Sequence, residues 1–194
     1  MKGLDKFTPI RLAEALTQKG AVPSEIVSDS LYAQEHSGQS FVELLIDSGA
    51  VTEWDLAKIV VEQFQLPFFT VSNYQSPAEI KEVVPAEVLF ETQVVPLDIF
   101  EDVLTVALPV YSSFETFGKI ERAAKKKLYP YIGLVSENRK ILAERYPNYL
   151  DWEKERKKKI EAQINQKPSG AQAPMDGWQN IFDVGDEQVR QGLG

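Results

Sequence analysis

The stretch RLAEALTQKGAVPSEIVSDSLYAQ, residues 11–34, decides the fold because the chain repeats its pattern. Residues 40–63 read SFVELLIDSGAVTEWDLAKIVVEQ, a second unit of the same length with Gly-Ala-Val at the same internal place. Self-similarity of this kind indicates two copies of one supersecondary unit. Each copy reads as a helix, a stop at Gly20 or Gly49 and a second helix, since glycine takes up the left-handed conformation that ends a helix. Two packed helical hairpins are predicted.

The helix starts in the repeats have recognisable capping chemistry. Thr8 precedes Pro9, which places a capping hydroxyl before a proline at the first helical position. Thr52 and Asp55 approximate a capping box for the fourth helix. Ser37, which lies 29 positions after Thr8, is predicted to cap the helix that begins the second copy.

The composition limits the class of protein. The chain has 194 residues, 43% hydrophobic and 26% charged, as in soluble globular proteins. Its net charge of −8 argues against a dedicated nucleic-acid binder, and its lack of cysteine excludes disulfides and thiolate metal sites. No apolar run has the length of a signal peptide or of a membrane span. We therefore expect a cytoplasmic protein.

Three regions divide the chain. Residues 1–65 form the predicted helical repeat subdomain, and residues 66–147 alternate strand-like with helix-like segments. Residues 148–194 begin with a charged helix and continue into the linker-like PSGAQAPMDG and a short apolar end. The strand candidates, rich in β-branched and aromatic residues, are FFTVS (68–72), VVPLDI (94–99), VLTVAL (103–108) and YPYIGLV (129–135). A small sheet covered by helices follows, which makes the fold class α+β.

Helix signals between these strands are less uniform. Ser76 and Pro77 have the pattern of a cap followed by a first-turn proline. Residues 125–127, three lysines, are predicted to end a helix. They either complement the helix dipole or form a phosphate-binding patch.

The sequence has no recognisable catalytic constellation. It contains neither a phosphate-binding loop nor a dinucleotide-binding glycine motif. His36 is the only histidine, and it reads as a solvated loop residue rather than a catalytic base. We therefore expect no enzyme activity, no metal and no cofactor, because no nucleophile, base and orienting group converge.

Two residues have alternative interpretations. Arg11 stands at the third position of its helix, beside N-terminal amides that favour anions. It is either a clamp for a phosphate or base, or a side chain that is solvated or paired with a nearby carboxylate such as Glu14. Trp54, at the second position of its helix, is either an incidental surface aromatic or an anchor for a partner.

The double motif with its five-residue spacer EHSGQ resembles the N-terminal domain of bacterial type II secretion and type IV pilus assembly ATPases. This class is called MshEN, and some of its members bind cyclic di-GMP. The family pattern runs roughly R-L-G-x-x-L-x-x-x-G-x-[IV]-x-x-x-x-L-x-x-x-L-x-x-Q. The resemblance covers about residues 8–147, and Val95-Pro96-Leu97 matches its later part. The family's ATPase domain is not in this sequence, so the chain is either a stand-alone regulator or part of a longer protein.

The resemblance implies a set of ligand-binding positions for cyclic di-GMP. In the first copy these are Arg11, Leu12, Leu16, Gly20, Leu31 and Gln34. In the second copy they are Leu45, Gly49, Leu56 and Gln63. Three positions depart from the pattern. Ala13 and Val42 stand where it has glycine, and Ser40 stands where it has arginine.

Two functions are predicted from these features. The first is a non-enzymatic regulatory or protein-interaction module that binds a protein of a secretion, pilus or motility apparatus, or another cytosolic regulator. Its candidate partner-binding residues are Trp54, Trp178, Ile181 and Phe182; the last three form either a partner-binding helix or a disordered end. The alternative is a cyclic di-GMP sensor that uses mainly the first copy.

Overall fold

The computed structural model describes residues 7–37 and 39–165. Helices dominate the first third, and a three-stranded sheet with further helices follows. The helices are α1 (Pro9–Gln18), α2 (Ser24–Ser37), α3 (Phe41–Asp47), α4 (Glu53–Phe64), α5 (Ile80–Val83), α6 (Ala86–Thr92), α7 (Phe114–Ala124), α8 (Val135–Arg145) and α9 (Tyr149–Asn165). The strands are β1 (Val95–Phe100), β2 (Val103–Pro109) and β3 (Lys127–Gly133). The α+β class is confirmed.

The repeat folds as its capping residues predict. The Thr8 hydroxyl accepts a hydrogen bond from the Arg11 amide (3.3 Å), and the Thr52 hydroxyl accepts one from the Asp55 amide (3.1 Å). Each bond satisfies an amide that the first turn of a helix leaves without a backbone partner. Gly20 lies just beyond α1 with φ +61°. The left-handed stop therefore takes its predicted place.

The leucine stripe of the two copies forms the core between the helices. Leu12 and Leu16 on α1, Leu45 on α3 and Leu56 on α4 are all fully buried. Helix α1 packs against α2 and α4, and α2 packs against α3. Burial of a leucine side chain contributes about 1.5–3 kcal/mol relative to its exposure, so these contacts hold the two hairpins together.

The sheet has the order β1-β2-β3. Strand β1 runs antiparallel to β2, and β2 runs parallel to β3, in register from Val103 opposite Lys127 to Pro109 opposite Gly133. A tight turn at Glu101 joins β1 to β2, with φ +53°. Three of the four strand candidates therefore belong to the sheet.

The fourth strand candidate, FFTVS, was wrong. Phe68 makes a single parallel bridge to Ile132, and a 3-10 turn over Val71–Asn73 follows. The carboxylate of Glu137 accepts hydrogen bonds from the Val71 amide (3.2 Å) and the Ser72 hydroxyl (3.0 Å). These side-chain contacts replace a strand partner, so the chain turns away after one bridge.

Two of the predicted caps were also wrong. Ser37 is the last residue of α2, and its hydroxyl donates back to the Ala33 carbonyl, so Ser40 takes the N-cap position of α3. The Ser76 hydroxyl donates to the Pro96 carbonyl (3.3 Å) and accepts from the Arg145 guanidinium (2.7 Å). Because tertiary contacts occupy that hydroxyl, the nearby helix α5 begins only at Ile80.

The lysines at 125–127 follow α7 rather than form its last turn. Lys125 is left-handed (φ +53°) just beyond Ala124, and Lys127 begins β3. The described residues up to Glu161 lie in one compact unit, and the boundary between 1–65 and 66–147 stays a prediction. Trp178, Ile181 and Phe182 lie outside the described residues. In the described part, no helix is both long and apolar enough to cross a membrane.

Candidate functional site

The predicted ligand-binding residues separate into a buried set and an accessible set. Buried in the core are Leu12, Ala13, Leu16, Leu45 and Leu56. Half-buried or exposed are Arg11, Gly20, Leu31, Gln34, Ser40, Gly49 and Gln63. In the described conformation a ligand can therefore contact only the accessible set. The buried set packs in the core between the helices that carry the accessible residues.

Arg11 is exposed on the first turn of α1. Its own amide is already engaged by the Thr8 hydroxyl. The alternative pairing with Glu14 does not form, and no carboxylate among the described residues makes a salt bridge to the Arg11 guanidinium. Arg11 therefore presents a planar cation at a helix start, where an anion is favoured.

The corresponding start of the second copy is chemically different. Ser40 is the N-cap of α3, but its hydroxyl makes no capping hydrogen bond. Val42 is fully buried, so a core side chain occupies the place that the repeat pattern reserves for glycine. The second copy therefore packs in the same way as the first, but it has no cation at this position.

A cavity of about 820 Å³ opens beside Ser40. Its walls come from the start of α3, the end of α6 and the first two turns of α7, with Arg156 of α9 at one side. Of the predicted ligand-binding residues, the cavity brings together Gln34 and Ser40, whereas Arg11 does not line it. The two copies therefore do not form one symmetric site in this conformation.

An ionic cluster forms part of the cavity wall through Glu43 and Arg156. Glu43 of α3 accepts hydrogen bonds from the guanidinium groups of Arg139 on α8 and Arg156 on α9, and only 13% of its side chain is exposed. The Arg139 Nε donates to the Gln93 side-chain oxygen (3.2 Å). This cluster joins three helices and the end of α6 around one carboxylate.

Buried polar side chains continue the cluster into the sheet. Asn138 is fully buried, and its amide nitrogen donates to the carbonyls of Gln93 (2.9 Å) and Ala107 (3.0 Å). Gln93 is 4% exposed and has φ +54°. Its amide nitrogen has no hydrogen-bond partner among the described residues, unlike the great majority of buried polar groups.

Burial is the main cause that raises the pKa values of three tyrosines, Tyr111, Tyr146 and Tyr149. Burial raises the pKa of Tyr149 to about 12 and also raises the pKa of Tyr111, whose hydroxyl donates to the Phe7 carbonyl (3.1 Å). Both side chains are core residues. Within the described part of the chain, no cluster of three or more histidine, aspartate and glutamate residues could hold a metal ion.

A second accessible feature is aromatic. Trp54 on α4 is 52% exposed, as its position predicts, and its ring centroid lies 5.3 Å from that of Phe68. The neighbouring Glu53 carboxylate accepts hydrogen bonds from the Ser136 amide (2.8 Å) and hydroxyl (2.7 Å). These bonds hold the start of α4 against α8, so the backbone that carries Trp54 is fixed in place.

The sequence analysis missed the residues that build the cavity. Gln93, Phe114, Arg122 and Arg156 carried no motif, and they are distant along the chain from Ser40. The cap at Ser113, whose hydroxyl accepts from the Thr116 amide, was a usable local signal for the start of α7. It indicates a helix start but no cavity.

Comparison with known proteins connects this fold to one family. The MshEN domain model matches residues 64–149. The type IV pilus assembly ATPase PilB of Thermus thermophilus is 25% identical over 139 residues, which are 71% of this chain and 16% of that protein. The chain thus spans about a sixth of the length of that curated relative.

Two solved structures share the fold. The structure of MshE with cdg is similar at a TM-score of 0.55 and 17% identity, over 70% of this chain and 98% of that one. The N-terminal domain of XpsE is similar at a TM-score of 0.58 and 22% identity, over 71% of this chain and 94% of that one. Residues 64–149 thus match the MshEN domain model, and the fold resembles that of the N-terminal domain of XpsE.

Proposed function

We propose that this chain is a non-enzymatic interaction module that docks onto a cytoplasmic protein of a secretion, pilus or motility apparatus. The proposal rests on one observation: the second copy of the repeat keeps the residues that pack in the core but lacks the arginine and glycine of the ligand-binding pattern. Leu45 and Leu56 are fully buried, whereas Ser40 carries no charge and Val42 fills the glycine position. Such a pattern is expected where the fold serves as a scaffold and a symmetric ligand is not required.

The docking surface in this proposal is the aromatic pair Trp54 and Phe68. An exposed tryptophan is the residue type most often found at the energetic centre of interfaces. The bonds between Glu53 and Ser136 hold its helix start in place, so less conformational freedom is lost when a partner binds. The relationship to the pilus ATPase PilB supports a partner from an apparatus of that kind.

Binding to purified cytoplasmic domains of the apparatus proteins tests this function. Immobilised chain and biolayer interferometry would give the affinity for each domain. Trp54→Ala should weaken binding to the true partner at least about tenfold, as hot-spot tryptophans do. Phe100→Ala is the matched control, because Phe100 is a 64% exposed aromatic residue at the end of β1, an edge strand of the sheet. Equal effects of the two substitutions, or no binding to any domain, would contradict the proposal.

A second candidate function is cyclic di-GMP sensing, mainly through the first copy. It is favoured by the exposed Arg11 at the start of α1 and by the similarity to the structure of MshE with cdg. The loss of arginine at Ser40 removes one charge-assisted contact, which costs about 1.5–3 kcal/mol, or roughly ten- to hundred-fold in affinity. Weak, asymmetric binding is therefore the expected behaviour of this alternative.

Titration calorimetry with cyclic di-GMP separates the two functions. If the chain is a sensor, the titration should show a heat of binding that Arg11→Ala abolishes. The control Lys58→Ala, which removes an exposed cation on α4, should leave this heat unchanged. Absence of heat at high micromolar ligand eliminates the sensor and leaves the interaction function untouched.

A further inference from the structure

The stretch of chain that contains α2 and α3 is one-sided in its charge. Residues 20–57 contain no lysine or arginine. A segment without cations creates a local negative potential, which attracts basic partners. The same residues contain seven carboxylates: Glu25, Asp29, Glu35, Glu43, Asp47, Glu53 and Asp55.

These carboxylates divide into an engaged set and an unpaired set. Glu43, Glu53 and Asp55 each accept hydrogen bonds from other side chains of the fold. The remaining four are exposed and form no salt bridge with any residue that the structure describes: Glu25, Asp29, Glu35 and Asp47. The unpaired set can therefore bind the cations of a partner.

An apolar groove separates α2 from α3 beside two of the unpaired carboxylates. Ile26 and Ala33 of α2 and Leu44 of α3 line it, and all three side chains are half-buried. Asp29 lines the same groove. Asp47 lies three residues after Leu44, so the two are neighbours on the surface of α3. An acidic edge thus borders an apolar floor.

The size of the groove fits the side chains of a protein better than a small-molecule ligand. Its volume is about 260 Å³, below the roughly 300–1,000 Å³ of typical ligand sites. Since an apolar cavity of about 150 Å³ holds a benzene ring, the groove has room for one or two apolar side chains. The Ser48 hydroxyl in its wall already donates to the Leu45 carbonyl (2.7 Å) and accepts from the Ala50 amide (3.3 Å).

We propose that the groove between α2 and α3 binds an amphipathic helix of a protein partner, one that carries lysine or arginine beside an apolar anchor residue. A helix in a groove presents its anchors at i, i+3 and i+4 spacing, so the apolar residue can insert while neighbouring cations reach Asp29 and Asp47. The complementary charges raise the association rate and select against acidic helices. The groove is formed by α2 and α3, whereas Trp54 is on α4, so this proposal goes beyond the docking function and does not depend on it.

Fluorescence anisotropy with labelled helical peptides tests the proposal on the full chain. The probe is a leucine–lysine peptide of about 18 residues, or five helical turns, with leucine at i, i+3 and i+4 spacing. One comparison peptide has glutamate in place of lysine, and the other has the same composition in scrambled order. The leucine–lysine peptide should bind at least about tenfold more tightly than either.

Two variants test the two parts of the groove. The double substitution Asp29→Asn and Asp47→Asn removes both charges with little change of shape, and should weaken binding at least about threefold. Ala33→Leu fills the groove, so the anchor residue can no longer be buried, and should weaken binding at least about tenfold. Circular dichroism would check that each variant is folded.

Two controls are matched to these variants. Glu79→Gln together with Glu82→Gln removes the same number of charges at exposed positions outside the groove, and should leave the affinity unchanged. Trp54→Ala should also leave it unchanged, because it alters the docking surface alone.

Several outcomes would overturn the proposal. Absence of binding up to about 1 mM peptide would do so, as would equal binding of the scrambled peptide, which would indicate non-specific attraction to the net charge of −8. Equal weakening by the two double substitutions would exclude Asp29 and Asp47 as the acidic partners. Self-association in sedimentation velocity that Ala33→Leu removes would identify a second copy of the chain as the occupant instead. Binding of apparatus domains to Trp54→Ala is scored separately, so the two proposals can fail independently.

Discussion

The Arg156 guanidinium lies 3.3 Å from the Glu43 carboxylate, although the two residues are 113 positions apart in the chain. Arg156 belongs to α9 and Glu43 to the second copy of the repeat. Arg139 binds the same carboxylate, and the Trp152 ring lies 5.8 Å from the Arg156 Cζ. The first two turns of α9 are therefore held against the helical repeat by one shared acid and an aromatic ring.

The first prediction concerns this shared acid. Glu43→Gln should lower the free energy of unfolding by about 1–3 kcal/mol, because it leaves the partly buried Arg156 guanidinium without a charged acceptor and Arg139 with only Glu153, at 3.7 Å. Urea denaturation followed by tryptophan fluorescence would measure the change. Asp55→Asn is not a suitable control, since the Asp55 carboxylate also accepts a hydrogen bond from the hydroxyl of Thr52, the residue that caps α4. Lys58→Gln is the better control: its pair with Asp55 is 69% and 56% exposed, and exposed pairs contribute at most about 1 kcal/mol. Equal losses in the two variants would contradict the role given to Glu43.

The same substitution at two buried tyrosines should have opposite effects. The Tyr111 hydroxyl donates to the Phe7 carbonyl, whereas the Tyr149 hydroxyl has no partner among the described residues. Tyr111→Phe should cost about 1 kcal/mol of stability, and Tyr149→Phe should be neutral or stabilise by up to about 1 kcal/mol, since it removes a buried polar atom without a bond. Urea denaturation near pH 7 checks both. A similar loss in both variants would mean that an unseen partner holds the Tyr149 hydroxyl.

These tyrosines also predict an alkaline limit of stability. Burial raises the pKa of Tyr149 from 10.0 to about 12 and raises that of Tyr111 in the same direction. Above pH 10 the unfolded chain loses these protons while the folded chain keeps them. The free energy of unfolding should therefore be unaffected by these groups below pH 10 and fall as the pH rises toward about 12. Denaturation at a series of pH values should show a shallower fall in the Tyr149→Phe variant; an identical fall would refute the assignment.

The sequence predicted those parts of the structure that local chemistry determines. Thr8 and Thr52 cap their helices because a hydroxyl at that position can reach an amide three residues ahead, whatever surrounds it. Ser76 has an equally good local pattern, but its hydroxyl is engaged by Arg145, 69 positions away. A sequence motif cannot represent that competition. Tertiary contacts decided the outcome.

The candidate site was predictable only in the repeat. Arg11 and Ser40 could be compared because the two copies share a register, and this comparison places serine in the second copy where the first has arginine. The cavity beside Ser40 depends on Gln93, Phe114 and Arg122, which lie far from Ser40 along the chain. Their convergence follows from how α6 and α7 pack, and no spacing in the sequence records it.

Two left-handed residues that follow helices, Gly20 and Gln65, predict a reciprocal pair of backbone effects. Gly20→Ala should destabilise by about 1–2 kcal/mol, since a left-handed alanine is disfavoured although nothing lies within 4 Å of its Cβ. Gln65 ends α4 with φ +57° and is exposed. Gln65→Gly should therefore stabilise the protein by up to about 1 kcal/mol. Thermal and urea unfolding would measure both. Two changes of the same sign would show that side-chain contacts, and not φ, determine these positions.

The last prediction concerns the fully buried Asn138, which connects α8 to the sheet. Its amide nitrogen donates to the carbonyls of Gln93 and Ala107, so Asn138→Leu leaves two buried acceptors without a donor. A loss of about 2–4 kcal/mol in the free energy of unfolding is expected, because each unsatisfied buried group costs about 1–3 kcal/mol. Asn138→Asp serves as the charge control and should be at least as harmful, since it replaces the donor with an acceptor. Lys140→Leu, on an exposed position of the same helix, should change stability by less than about 0.5 kcal/mol. Comparable losses at the two leucine substitutions would show that Asn138 contributes through side-chain volume instead of through its hydrogen bonds.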